Sequence, residues 1–210
     1  MGGQTNPLNH WLFFEVRMMK RQILTLLLFS ILLPACSQRE DIKAIVSPEP
    51  KSHAWWLRIT FIPAGKELYG IPIKKIDPTW AFAAQMKKEV IPHDVLFEEG
   101  QDSMARNGLD FVQKGDFNND NIEDIALVGV YQDSKQQDGM FFLILTKTRN
   151  GSWEKAFLEF FPGKPGFLGL QGDGHNLALA YCMECDGVSD ITWDKKLKTY
   201  RIEDSADVDM

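Results

Sequence analysis

Between Ile23 and Leu33 the chain is almost wholly apolar, interrupted only by Thr25 and Ser30. A run of about eleven residues is too short to cross a bilayer as a helix, which takes roughly 20, but it matches the core of an export signal. Lys20 and Arg21 stand ahead of it as a positive flank. The polarity then reverses. Ser37 to His53 is polar, contains Pro48 and Pro50, and shows no sustained period. Residues 36–53 therefore read as a flexible tether. From Trp55 onward short apolar stretches alternate with turn residues. The pattern predicts strands over Trp56–Ile62, Asp110–Lys114, Asp124–Tyr131, Met140–Thr146, Trp153–Phe160, Phe167–Leu170, Leu177–Cys182, Ile191–Trp193 and Lys198–Ile202. Asp138-Gly139, Asn150-Gly151, Pro162-Gly163, Asp173-Gly174 and Asp194 to Lys196 separate them as turns. One α-helix is expected at about 78–90: Asp77 can cap it, Pro78 suits its first position and Pro92 stops it.

The expected fold class is thus mainly β. Antiparallel meander, sandwich-like or partial propeller-blade-like sheets carry one helix and follow a signal-peptide helix. The strand-rich motifs have no second copy, which argues against a closed propeller. The expected organisation is 1–35 as an extension plus signal, 36–53 as tether, 54–204 as a globular β-rich domain and 205–210 as a disordered tail. Met18 and Met19 are better starts for the signal than Met1.

Composition narrows the partners. The 210 residues are 44 % hydrophobic, enough for a packed core. The formal net charge is −6, with no basic stripe. Nucleic acid is therefore not an expected partner.

Leu33-Pro34-Ala35-Cys36 closes the apolar run. It resembles the lipobox of bacterial lipoproteins. The resemblance implies cleavage before Cys36, lipidation of its thiol and anchoring by several acyl chains, which hold where one chain holds only marginally. Ser37 follows the cysteine where an Asp is absent. In a diderm host the resemblance then implies an outer-membrane protein facing the periplasm or the surface.

Inside the domain, Gly115-Asp116-Phe117-Asn118-Asn119-Asp120-Asn121-Ile122-Glu123-Asp124 runs directly into an apolar strand. Side-chain oxygens stand at Asp116, Asn118, Asp120 and Asp124, and Ile122 has its backbone carbonyl to offer. Calcium takes six to eight oxygens, and a tight loop with alternate side chains turned inward supplies them. Leu127 stands where an EF-hand needs its closing glutamate, and strands flank the loop, so it is not an EF-hand. The stretch resembles the calcium loop of the FG-GAP and VCBS repeat families, over about residues 109–131. That resemblance implies structural Ca²⁺ within an extracellular β-sheet. Asn119 and Asn121 replace glycines of the family pattern. Asx-rich turns also form without metal, for their own hydrogen-bonding reasons.

With Cys36 assigned to lipid, Cys182 and Cys185 remain, and outside the cytoplasm a close pair reads as a disulfide. A redox pair would want a helix starting at the first cysteine, and none is predicted there. Zinc would need more ligands than His175 adds. His53, His93 and His175 form no recognised catalytic motif, and no nucleophile elbow or phosphate loop occurs. Trp55, Trp56 and Trp80 suit a core better than a cleft. The expected function is a membrane-anchored, calcium-stabilised binding domain for an envelope protein or glycan. The alternative is an envelope enzyme or thiol-redox protein using Cys182/Cys185 or an acidic cleft.

Overall fold

A computed structural model of the chain describes residues 41–47, 54–98, 100–184 and 188–204. The lipobox, Cys36, the signal segment, His53, Cys185 and the tail lie outside the described residues.

The described chain is mainly β and antiparallel. It opens with β1 (Ile42–Val46), a 3₁₀ turn at Trp55–Leu57 and β2 (Ile59–Pro63). Two-residue strands β3 (Glu67–Leu68) and β4 (Ile71–Pro72) form a hairpin that leads into the single helical turn α1 (Ile73–Ile76). Next come β5 (Trp80–Gln85), α2 (His93–Leu96), the hairpin β6 (Phe97–Glu98) and β7 (Gln101–Asp102), and α3 (Ser103–Arg106). Then follow β8 (Val112–Gly115), β9 (Asp124–Asp133), β10 (Asp138–Lys147) and β11 (Trp153–Pro162). The chain ends in β12 (Gly169–Gly172), β13 (Leu177–Ala180), β14 (Val188–Asp194) and β15 (Thr199–Asp204). No helix among the described residues is long and apolar enough to cross a membrane.

A five-stranded sheet runs β11-β10-β9-β5, and β8 shares the outer edge of β9 with β5. β12 to β15 form a four-stranded meander, and β1 pairs with β2. β9 explains the architecture. Its first eight residues are all buried. Ala126, Val128 and Val130 enter one core with Phe61, Phe111, Phe142, Phe167 and Tyr200. Ile125, Leu127 and Tyr131 enter a second core with Trp80, Phe141, Leu143 and the α1 isoleucines. A strand covered on both faces reads as a continuous apolar run, as DIALVGVY does. Gly129 is needed at its centre: a Cβ there would lie 2.3 Å from the Phe141 ring and 2.4 Å from the Ala84 carbonyl.

Three expectations change. The helix at about 78–90 is not formed. Asp77 does cap the Pro78 turn, through the Thr79 amide and hydroxyl, but Trp80–Gln85 continues as β5. The edge of β9 offers a full ladder, and Ala83, Ala84 and Gln85 pair with Tyr131, Val130 and Gly129. Trp80 is fully buried against Tyr131 and Phe141. Tertiary pairing outweighs the helix propensity of an Ala-rich segment. Second, part of the expected tether is structure. Ile42–Val46 pairs with Ile59–Pro63, Ile42 is buried, and Lys87 bridges Asp41 at 2.7 Å. Third, the strand expected from Trp56 starts at Ile59. Trp55 is a core residue held by Ser103, whose hydroxyl accepts from the indole at 3.1 Å and donates to the Leu96 carbonyl.

Candidate metal centre

The acidic loop joins β8 to β9, whose flanking residues Gly115 and Asp124 face each other across the ladder. Short-range hydrogen bonding shapes it. Asp116 Oδ1 accepts from the Asp120 amide at 3.0 Å and Oδ2 from the Asn121 amide at 2.9 Å. Asn118 Oδ1 shares the Asp120 amide at 2.9 Å, while its amide nitrogen donates to Asp120 Oδ2 at 3.1 Å. Asp120 Oδ1 accepts from Ile122 at 2.8 Å. Asn119 and Asn121 adopt left-handed φ values of 59° and 64°. Asparagine tolerates this region better than most residues, so it stands in for glycine at both positions.

Asp124 closes the loop and is fully buried. Its Oδ2 accepts from the Phe117 amide at 3.2 Å and from the Tyr200 hydroxyl at 3.0 Å. Its Oδ1 is buried with no hydrogen-bond partner, and so is Oγ1 of Thr146, its register partner on β10. Burial pushes the Asp124 carboxyl above its ordinary value; the neighbouring Thr146 side chain, the Tyr200 hydroxyl and the Phe117 amide oppose the rise, and the charge of Asp120 adds to it. Burial and the charges of Asp124, Asp120 and Asp116 together push the Tyr200 phenol far up.

The structure joins Asp116, Asn118 and Asp120 in one hydrogen-bond network; Asp124 is bonded apart from it, to Phe117 and Tyr200, and feels the charge of Asp120. Ile122 joins the network through its amide, and its partly exposed side chain helps line an open cleft of ≈ 430 Å³ with Asp116, Asn121 and Glu123. Among the described residues, no three His, Cys, Asp or Glu side chains cluster as a ready-made metal set. The loop carboxylates are turned partly to backbone amides. The fit to a hard cation rests on the oxygen-only donor set and on the orphaned, buried Asp124 Oδ1. A buried carboxylate oxygen without a donor is costly, and a cation would offset that cost. Sequence reasoning missed Tyr200 and Thr146. Strand alternation marks Tyr200 as inward-facing, but nothing local pairs it with Asp124, 76 residues away.

Cys182 is buried just after β13 and is engaged in a contact. No helix begins there among the described residues. His175 lies in the exposed β12–β13 turn, where its amide donates to Asp173, and His93 stacks on Phe97. Trp55, Trp56 and Trp80 are all core residues. No protein-family model, curated protein or solved structure matches the chain.

Proposed function

We propose that the chain is an exported lipoprotein, anchored through lipid on Cys36, whose β domain is stabilised by Ca²⁺ in the 116–124 loop and binds a protein or glycan of the cell envelope. The observation that carries the metal reading is the unpartnered, buried Oδ1 of Asp124 at the end of a loop whose Asp116, Asn118 and Asp120 side chains share one hydrogen-bond network. Asp116, Asn118, Asp120, Asp124 and the Ile122 carbonyl would hold the ion, which would supply charge neutralisation and no chemistry. A stabilising ion suits a loop that joins two strands of the central sheet.

The lipobox resemblance supports the anchor, and its last residue is close to the domain in sequence. Only residues 37–40 separate Cys36 from Asp41, where the described domain begins. We read Cys182 and Cys185 as a disulfide pinning the β13–β14 connection.

Calcium titration with thermal melting tests the metal. Millimolar Ca²⁺ should raise the melting temperature of the chelator-treated chain; an unchanged melting temperature overturns the reading. Intact-mass analysis of the membrane fraction tests the anchor. It should find an acylated chain beginning at Cys36, and Cys36→Ala should leave the protein unacylated.

A further inference from the structure

The acidic loop belongs to the five-stranded sheet, yet both of its ends are bonded to the four-stranded one. At its start the Asp116 amide donates to the Gly174 carbonyl at 2.9 Å, in the β12–β13 turn. This contact is backbone on backbone, since a Cβ on Gly115 would lie 2.2 Å from that same carbonyl oxygen. At its end the Tyr200 hydroxyl of β15 donates to Asp124 Oδ2 at 3.0 Å. Tyr200 is buried, and its ring packs edge-on against Trp193 of β14 and Phe157 of β11.

The Tyr200 hydroxyl engages Oδ2 together with the Phe117 amide, and leaves the other oxygen. Oδ1 is the buried atom without a partner, and Thr146 Oγ1 across the register is another. A carboxylate held on one side by a fixed donor cannot rotate freely, so the direction of its second oxygen is set. Preorganisation of this kind strengthens cation binding by removing a rotamer that would otherwise have to be ordered.

We propose that Tyr200 is the positioning residue of this loop: its hydroxyl orients Asp124 so that Oδ1 is the oxygen available to a hard divalent cation, and it carries occupancy of the loop into the four-stranded sheet. The proposal rests on the calcium reading above. A cation on Oδ1 fixes Asp124, Asp124 fixes Tyr200, and Tyr200 fixes the β14–β15 hairpin through Trp193. The Gly174 contact gives the β12–β13 turn a second route to the same loop.

The test uses the full-length chain in three forms: wild type, Tyr200→Phe and Asn118→Ala. Calorimetric titration with Ca²⁺ gives the affinity, and hydrogen exchange by mass spectrometry with and without Ca²⁺ follows residues 188–204. The expected result is slower exchange of β15 on adding Ca²⁺ to the wild type. Tyr200→Phe keeps the ring and removes one hydrogen bond to a charged group, so Ca²⁺ should bind about tenfold more weakly and β15 should gain no protection. Asn118→Ala should lose binding with Tyr200 intact, leaving β15 at its metal-free exchange rate. Wild-type affinity together with undiminished β15 protection in Tyr200→Phe overturns the proposal alone. Absence of Ca²⁺ uptake by the wild type overturns the metal reading and this proposal with it. Trp193→Phe, which disturbs the same packing but keeps the hydroxyl, separates packing from bonding. An equal loss of affinity in Trp193→Phe also overturns the positioning role.

Discussion

Asp124 is the residue at which stability and the proposed function compete. Its carboxyl is fully buried with one oxygen unpaired, an arrangement that disfavours the charged form. Asparagine has nearly the same volume and no charge, and its oxygen can still accept from Tyr200 and Phe117. Metal-free Asp124→Asn is therefore expected to melt higher than the metal-free wild type at neutral pH and to show no shift with Ca²⁺. A lower melting temperature in chelator would show that the carboxylate is not strained there. Asp173 is the opposite case. The Asn176 backbone amide, the Asn176 side chain and the His175 amide hold its carboxyl down to about 2. A carboxyl depressed in the folded state stabilises fully above its unfolded value, and that contribution fades as pH falls toward the folded one. Asp173→Asn should accordingly flatten the acid-unfolding profile between about pH 4 and pH 2, measured by circular dichroism. Gly129 makes a steric prediction. Gly129→Ala forces a methyl into the Phe141 ring and the Ala84 carbonyl, and overpacking of this kind costs about 1–3 kcal/mol. Denaturant unfolding reads that loss.

At the scale of elements, β9, β10 and β11 were legible because their apolar runs are long and bounded by turn residues. Their observed spans extend the expected ones by at most two residues at either end. β5 was not legible. Trp80-Ala81-Phe82-Ala83-Ala84-Gln85 carries strong helix formers, and its strand identity depends on the vacant half of the β9 edge. β8 takes the other half, up to Leu127, and the Met86 amide bonds Val128 where the two meet. A synthetic peptide spanning residues 77–90, cut off from β9, should turn helical rather than extended in a helix-promoting solvent, as circular dichroism would record. β1 was hidden for a different reason. A five-residue strand with one buried isoleucine has too weak an alternation to stand out beside Pro48 and Pro50. Ile42 is buried against the core, so Ile42→Ala should cost about 2–4 kcal/mol in denaturant unfolding; a loss near zero would contradict that packing.

At the scale of the molecule, placing β1 inside the domain shortens the tether of the proposed anchor. From Cys36 to Ile42 a fully extended chain reaches about 20 Å. A lipidated copy on a supported bilayer should therefore show, by neutron reflectometry, no water gap wider than about 20 Å. What the sequence by itself determined was local: the polarity pattern that separates the signal-like run from a strand-rich domain, the turn residues that bound the strands, and the oxygen spacing of the 116–124 loop with asparagines able to take left-handed backbone. Those depend on neighbours within a few residues. Tertiary structure decided whatever depends on partners far along the chain. β9 drew a helix-prone segment into a strand, β2 recruited the head of the tether, and Tyr200 reached Asp124 from a separate sheet. Edge pairing and burial are satisfied by whichever segment arrives, so no local pattern names it in advance. The acidic loop is where the two meet, its shape written in its own residues and its one unpaired oxygen set by a tyrosine from elsewhere.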